Sequence, residues 1–255
     1  MQPASADDGD SGFTRTAAPT ELSGFVLAGG RSSRLGRDKA LLPWPPNAFA
    51  KGKSQTLLQH AVARLQSVCT IVSICANRPD LFSTAEVIPD AVPGSGPLGG
   101  IVAALEHSST EWNLLLAVDL PFLPVQVLQA LAARARSGEK IRLSGRPSSP
   151  SPACILPELD GLPQPLCGLY HRALAPKLRR ALEAGKLKVM AALQQATDPE
   201  VAGAEISSDT QPFRVEMWDV ASFAAALPST PDPRRWFFNI NTREEWEKAR
   251  QLRTQ

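Results

Sequence analysis

Hydrophobic and polar positions follow two alternating spacings along the chain. Short apolar runs alternate with longer stretches in which apolar residues recur at helical spacing. The runs predict strands at 24–30, 70–78, 85–90 and 112–123, and the longer stretches predict helices at 56–68, 97–109 and 124–138. This alternation is typical of βαβ units.

One unbroken apolar run, "NLLLAV" at 113–118, indicates a strand that is buried on both faces. Strands of this kind belong to parallel sheets covered by helices. We therefore predict an α/β fold, a three-layer Rossmann-like sandwich with a mostly parallel sheet. Ligands bind such sheets outside the carboxyl ends of the strands. Those ends are predicted at 27–30, 75–78, 89–90 and 118–121.

The second half of the chain has a less regular pattern. Six prolines between 146 and 165 exclude a helix there and predict a loop with one short strand, 153–156. Beyond it the pattern predicts helices at 169–185 and 187–196, a strand at 214–220, and a last helix that Thr242 caps, with Glu244 and Glu245 in its first turn.

Composition narrows the classes of partner. The chain has 255 residues, 43% of them hydrophobic, and a net charge of +2 with both signs mixed along most of its length. This balance predicts neither a nucleic-acid partner nor a membrane partner. The four cysteines show no metal-ligand or CxxC spacing, so we interpret them as reduced core residues. Since the first residues also lack a secretory pattern, we expect a cytoplasmic protein.

A glycine-rich loop follows the first predicted strand. Gly29 and Gly30 remove side chains where a ligand can approach the backbone, and N–H groups in such a turn can bind anions. The cations that follow are Arg31, Arg34, Arg37 and Lys39. A triphosphate with a metal ion needs such a combination of donors and cations. The spacing after Gly36 excludes a Walker A loop, and an ordinary turn with solvated arginines is the alternative interpretation.

Four further polar residues stand at informative positions. Asp119 follows the buried run, so it must lie at an exposed strand end or pair with a cation. Asp90 ends the strand at 85–90 before a Gly-Pro turn, where it is either a turn former or a ligand-binding group. Asn239 and Asn241 are two residues apart, which would point both the same way from an extended segment. Their alternative role is the approach to the Thr242 cap.

The string "LAGGRSSRLGRDKALLP" closely resembles the signature loop of nucleotidyltransferases that move a nucleoside monophosphate from an NTP to a phosphate acceptor. Its two glycines and "DKAL" resemble the molybdenum cofactor guanylyltransferase family. The segments "VIPDAVPGSGPLGGIVAAL", "AVDLPFL", "QPLCGLYHRAL" and "FNINT" resemble further family motifs, in the same order. The resemblance covers roughly residues 22 to 250.

The resemblance implies a reaction and a set of site residues. It implies transfer of GMP from GTP to the terminal phosphate of molybdenum-loaded molybdopterin, with Mg²⁺ held by Asp119 and with Lys39 and Arg34 as catalytic cations. The binding residues that it implies are Leu27, Ala28, Gly29, Gly30, Lys39, Asp90, Gly96, Pro97, Leu98, Asp119, Asn239 and Asn241. One departure is Cys75, where the family often has asparagine, with Asn77 two residues later.

The composition of the first residues and the same resemblance suggest how the chain is organised and what it binds. Residues 1–21 are expected to form a disordered leader, and 22–255 a single domain with an NTP-binding half, 22–135, and an acceptor-binding half, 136–255. The expected partners are GTP, molybdopterin and other molybdenum cofactor biosynthesis proteins. The alternatives are a cytidylyltransferase of the same cofactor, a sugar-phosphate nucleotidyltransferase, or a non-catalytic GTP-binding protein that delivers the cofactor.

Overall fold

A computed structural model describes most of the chain. The described residues are 21–30, 35, 38–45, 55–78, 85–143, 152–198, 213–227 and 232–252, with backbone alone at 138–143. Within them, no helix is both long enough and apolar enough to cross a membrane.

An eight-stranded sheet forms the centre of the protein. Its strands are β1 (Leu22–Leu27), β4 (Ile71–Cys75), β5 (Glu86–Ile88), β6 (Trp112–Ala117), β7 (Pro152–Leu159), β8 (Leu162–Pro163), β9 (Cys167–His171) and β10 (Arg214–Asp219), while β2 (Pro43–Trp44) and β3 (Gln55–Thr56) form a separate antiparallel pair. The order in the sheet is β10-β7-β9-β6-β1-β4-β5, with β8 paired to β7. All pairs from β6 to β5 are parallel, and so is β10 with β7.

Helices cover both faces of this sheet. They are α1 (Leu57–Gln66), α2 (Gly96–His107), α3 (Val125–Leu143), α4 (Ala175–Glu183), α5 (Val189–Thr197), α6 (Val220–Ala225), α7 (Pro233–Trp236) and α8 (Arg243–Leu252). Buried residues of α1, α3, α6, α7 and α8 share one apolar core, and those of α2, α4 and α5 share another. Leu114 and Leu116 of β6 belong to the first core and Leu115 to the second. The predicted three-layer α/β fold is therefore confirmed.

Two predictions in the second half were wrong in detail. The predicted helix at 169–185 begins only at Ala175, because residues Cys167–His171 form β9. This strand lies between β6 and β7 and is antiparallel to both. Its residues are all buried, and neighbouring strands on both sides outweigh the helical spacing of its apolar positions. The short strand predicted at 153–156 runs from Pro152 to Leu159.

Local chemistry explains where two of the helices begin. Thr56 and Gln59 form a capping box at the start of α1, each side chain bonding the other's backbone N–H. Thr242 caps α8 as predicted, because its hydroxyl accepts from the Glu245 N–H and Glu245 in turn accepts from the Thr242 N–H. These hydrogen bonds satisfy backbone N–H groups in the first turns of α1 and α8 and so fix where each helix begins.

The four cysteines are buried, which confirms that they are core residues, and none of them is joined in a disulfide. They are Cys69, Cys75, Cys154 and Cys167. Burial raises the pKa of Cys69, Cys75 and Cys167 to about 12. These thiols stay protonated at neutral pH and are poor nucleophiles.

Candidate active site

A cleft of about 1490 Å³ opens at the carboxyl edge of the sheet. The predicted binding residues that line it are Leu27, Ala28, Gly29, Gly30, Lys39, Asp90, Gly96, Pro97 and Asp119. They come from the ends of β1, β5 and β6, from the segment after the glycine loop, and from the start of α2. The parallel strand order brings these distant residues to one edge.

The glycine loop continues β1 into the cleft. The Leu27 C=O accepts from the Val118 N–H at 3.1 Å, and the Ala28 N–H donates to the Cys75 C=O at 2.9 Å. Those two groups are thus used within the sheet. Gly30 has a φ of +121°, a conformation that favours glycine. The loop can therefore turn sharply and present the backbone of Gly29 to a ligand.

Lys39 and Asp119 form an ion pair at one end of the cleft. The Lys39 Nζ lies 2.6 Å from Asp119 Oδ2, although the two residues are 80 positions apart in sequence. Lys39 begins a short 3₁₀ helix, Lys39–Leu41, which Asp38 caps by accepting from the Ala40 N–H at 2.9 Å. Both side chains of the pair are largely buried, being 17% and 9% exposed. The end of β6 and the segment after the glycine loop thus place opposite charges in contact.

The second oxygen of Asp119 has no partner among the described residues. Asp119 Oδ1 is buried and accepts no hydrogen bond there. The described part of the chain contains no group of three or more histidine, cysteine, aspartate or glutamate residues that could hold a metal. Mg²⁺ is commonly bound by one or two carboxylates together with waters and substrate phosphates. A single carboxylate with an unpaired oxygen therefore fits Mg²⁺ bound with a nucleotide.

Asp90 is held at the other end of the cleft by Asn77. The Asn77 Nδ2 donates to Asp90 Oδ2 at 2.7 Å, and the Asp90 N–H donates to Asn77 Oδ1 at 3.0 Å. A Cβ at Gly29 would lie 3.7 Å from Asp90 Oδ1, and one at Gly100 would lie 3.4 Å from it. Burial raises the pKa of the Asp90 carboxyl, and the hydrogen bond from Asn77 opposes that shift. Asp90 therefore lies next to bare backbone and is oriented by a neutral amide.

The start of α2 faces the same end of the cleft. Ser95 precedes the helix but makes no capping hydrogen bond, since its hydroxyl donates to the Val92 C=O. Gly96 and Pro97 line the cleft, whereas the Leu98 side chain is completely buried. Any contact of Leu98 with a ligand would therefore use its backbone. N–H groups in the first turn of a helix lack intrahelical partners and suit anions or base edges.

The two predicted asparagines near the C-terminus are placed differently. Asn241 Oδ1 accepts from the Lys39 Nζ at 3.4 Å, so Asn241 belongs to the Lys39–Asp119 end of the cleft. Its backbone N–H donates to Glu245 Oε2 at 2.7 Å, which ties it to the cap of α8. Asn239 is exposed, and its binding role stays a prediction. The Ile240 N–H between them donates to the Asp119 C=O at 3.2 Å.

The structure also adds residues that the sequence interpretation left out. Asn77 lines the cleft and His60 contacts the segment after Asp119, although neither was among the predicted site residues. Arg64 contacts the same segment. Both contacts are made to backbone carbonyls, so the sequence carried no signal for them beyond the shared face of one helix. Arg34 lies outside the described residues together with Arg31 and Arg37, so its predicted role is untested.

The chain matches one protein family over most of its length. Residues 24–200 match the family model described as "MobA-like NTP transferase domain". The chain belongs to this family of nucleotidyltransferases, which confirms the family resemblance predicted from the sequence.

Individual relatives agree with this assignment. The chain is 37% identical over 178 residues to a Chloroflexus aggregans protein, covering 68% of this chain and 76% of the relative. It is 31% identical over 170 residues to a Flavobacterium johnsoniae protein, covering 66% and 78%. Both relatives carry the name "Probable molybdenum cofactor guanylyltransferase".

A solved structure shares the fold. It is the "Molybdopterin-guanine dinucleotide biosynthesis protein A" of Archaeoglobus fulgidus, with a TM-score of 0.64 and 22% identity. The match covers 91% of this chain and 98% of that one. At this identity the likeness concerns the fold.

Proposed function

We propose that the protein transfers GMP from GTP to the terminal phosphate of molybdenum-loaded molybdopterin, forming molybdopterin guanine dinucleotide and releasing pyrophosphate. The contact between Lys39 and Asp119 beside the glycine loop carries this proposal, because it joins a cation suited to bind phosphate to a carboxylate suited to bind a metal ion. The names of the two curated relatives support the choice of guanine and of the acceptor.

The reaction needs positioning and charge neutralisation from the protein. An oxygen of the acceptor phosphate attacks the α-phosphorus of GTP, and the bond to the bridging oxygen of pyrophosphate breaks. A phosphate monoester has a second pKa of about 6, so the attacking group is already anionic near neutral pH. No general base is therefore required. The protein must align the two phosphates and stabilise the charge that develops on the leaving pyrophosphate.

Lys39 and Asp119 divide this task between them. The Lys39 ammonium is a compact donor that we expect to exchange Asp119 Oδ2 for phosphate oxygens when the triphosphate enters. Asp119 would hold Mg²⁺, with Oδ1 as its available oxygen. When bound, the metal neutralises phosphate charge as a Lewis acid. Asn241, within 3.4 Å of the Lys39 Nζ, is placed to orient the ammonium or the acceptor phosphate.

The opposite end of the cleft is proposed to bind the nucleoside. The Ala28 N–H and the Leu27 C=O are used within the sheet, so Gly29 supplies the nearest backbone groups for a base edge. Asp90, next to Gly29 and Gly100, is placed to accept hydrogen bonds from the N–H groups of guanine or from ribose hydroxyls. A carboxylate at this position favours ligand groups that donate hydrogen bonds.

Pyrophosphate release tests the proposal directly. We would measure it with GTP, CTP, ATP and UTP in turn, each with Mg²⁺ and molybdenum-loaded molybdopterin. We expect release with GTP and loss of release in Asp119→Asn. Glu106→Gln is the matched control, since Glu106 lies near the end of α2 away from the cleft and pairs with Arg179.

Each other outcome selects one of the alternatives. Release with CTP and not with GTP would support the proposed type of reaction but identify the protein as a cytidylyltransferase. Release with a sugar phosphate as acceptor, and none with molybdopterin, would identify the protein as a sugar-phosphate nucleotidyltransferase. Tight GTP binding without any release would favour a non-catalytic delivery protein.

A further inference from the structure

The segment that follows Asp119 is held by side chains of α1. The Arg64 Nη1 donates to the Leu120 C=O at 3.0 Å, and its Nη2 donates to the Leu123 C=O. The His60 Nε2 lies 3.1 Å from the Pro121 C=O. Three carbonyl oxygens of one short segment are therefore bound by two side chains that lie four residues apart on one helix.

The hydrogen bonds of His60 define its tautomer. Its Nδ1 lies 3.0 Å from the Gln55 Nε2, and an amide nitrogen can only donate. Nδ1 is then the acceptor, and Nε2 carries the hydrogen that is donated to the Pro121 carbonyl. Gln55, in β3 just before the α1 cap, thus orients the ring toward the segment.

Arg64 is bound at an energetic cost. Burial lowers the pKa of its guanidinium to about 10, and Cys167 opposes that shift. A partly buried cation needs partners, and the carbonyls of Leu120 and Leu123 supply them. The guanidinium spans two carbonyls with a rigid fork, a geometry that a lysine ammonium cannot reproduce.

Hydrogen bonds hold the backbone at Asp119 and on both sides of it. The Val118 N–H donates to the Leu27 C=O, the Asp119 C=O accepts from the Ile240 N–H, and the next residues are bound by α1. Phe122 packs edge-on against Trp44, with 5.2 Å between ring centroids. The Asp119 side chain, with its buried and unpaired Oδ1, extends from this backbone.

We propose that His60 and Arg64 are positioning residues that hold the Asp119 carboxylate in the orientation needed to bind a divalent cation. This inference rests on the proposed function, in which Asp119 holds the metal ion. Its test does not, because cation binding can be measured without turnover. Residues that orient a metal ligand typically change metal affinity about 10- to 100-fold when they are replaced.

Mn²⁺ binding, followed by electron paramagnetic resonance with GTP present, tests this inference. The variants are Arg64→Lys, which keeps the charge but loses the two-nitrogen fork that binds both carbonyls, and His60→Leu, which removes the donor. We expect Mn²⁺ to bind about 10-fold more weakly to each. His60→Gln keeps an N–H donor and should restore most of the affinity. Gln66→Ala, an exposed change on α1, is the control.

The outcomes separate this inference from the proposed function. Folded Arg64→Lys and His60→Leu proteins that bind Mn²⁺ as tightly as the wild type would overturn the inference. So would wild-type Mn²⁺ binding that Asp119→Asn leaves unchanged. Weaker Mn²⁺ binding in Arg64→Lys and His60→Leu, together with nearly wild-type binding in His60→Gln, would support the inference. It would do so even if the wild type released no pyrophosphate, and in that case the proposed function alone would fail.

Discussion

The two ends of the cleft use carboxylates in opposite ways. At one end Asp119 pairs with the Lys39 ammonium and keeps one buried oxygen unpaired. At the other end Asp90 pairs with the neutral amide of Asn77 and lies against the backbone of Gly29. The first arrangement suits the exchange of charged partners, and the second suits selection of hydrogen-bond donors. We therefore expect substitutions at the Asp119 end to change the rate of the reaction, and substitutions at the Asp90 end to change the binding of the nucleotide.

Replacing each aspartate by asparagine should give the largest contrast. We expect Asp119→Asn to lower kcat for pyrophosphate release by about 1000-fold, because the metal-binding charge is lost. Asp90→Asn should mainly raise KM for GTP, with kcat within about 5-fold of the wild type, since an interaction with the nucleoside is made before and during the reaction. Equal effects on kcat from both changes would abolish the distinction between the two ends.

The Lys39 ammonium gives the next largest effect. Lys39→Gln should reduce kcat by about 100-fold, the usual cost of one lost donor to developing negative charge. Lys39→Arg should recover only part of the rate, because a planar guanidinium does not occupy the position of a compact ammonium. Single-turnover kinetics would measure both. Full activity of Lys39→Gln would show that other cations neutralise the phosphates.

Replacing Asn77 should weaken the binding of GTP and leave the rate of the chemical step nearly unchanged. Asn77→Leu keeps a similar volume but removes both hydrogen bonds to Asp90, so KM for GTP should rise about 10-fold with little change in kcat. Because the Asn77 amide lowers the pKa of Asp90, its removal should also move the acidic limb of the kcat/KM profile to higher pH. A profile that does not move, together with an unchanged KM, would show that Asn77 has no part in binding.

The smallest effect concerns stability and its dependence on pH. Burial raises the pKa of Asp90 in the folded protein, so its ionised form opposes folding at neutral pH. Below the unfolded pKa of about 3.9 the carboxyl is protonated in both states and that cost is absent. Asp90→Asn should therefore have a slightly higher Tm than the wild type at pH 7, with the difference vanishing near pH 3. Calorimetry at both pH values would measure this difference, and a lower Tm at pH 7 would contradict it.

The first half of the fold was predictable because its signals are local. The uninterrupted run of β6 and the two glycines after β1 can be identified directly in the sequence. The strands before Asp90 and Asp119 were predicted too, although they end earlier than expected, at Ile88 and Ala117. The strand β9 was missed because its burial depends on neighbours, β6 and β7, that are distant in sequence. A sequence pattern records the apolar character of such a segment but does not identify its neighbours.

The candidate site was predictable to a similar extent. The types of residue and their positions at strand ends pointed to Lys39 and Asp119, but their contact depends on the folded arrangement of two segments 80 residues apart. The pairing of Asn77 with Asp90 requires β4 and β5 to be neighbours. The contacts of His60 and Arg64 involve backbone carbonyls, which every residue has, so no residue type marked them.

The position of β9 has a consequence for synthesis of the protein on the ribosome. Because β9 is the partner of β6 in the sheet, the apolar strand Trp112–Ala117 has an open edge until residues Cys167–His171 have emerged. An exposed edge of this kind is prone to pair with other chains. A nascent chain that stalls between the two strands would therefore be a substrate for chaperones until β9 covers this edge of β6.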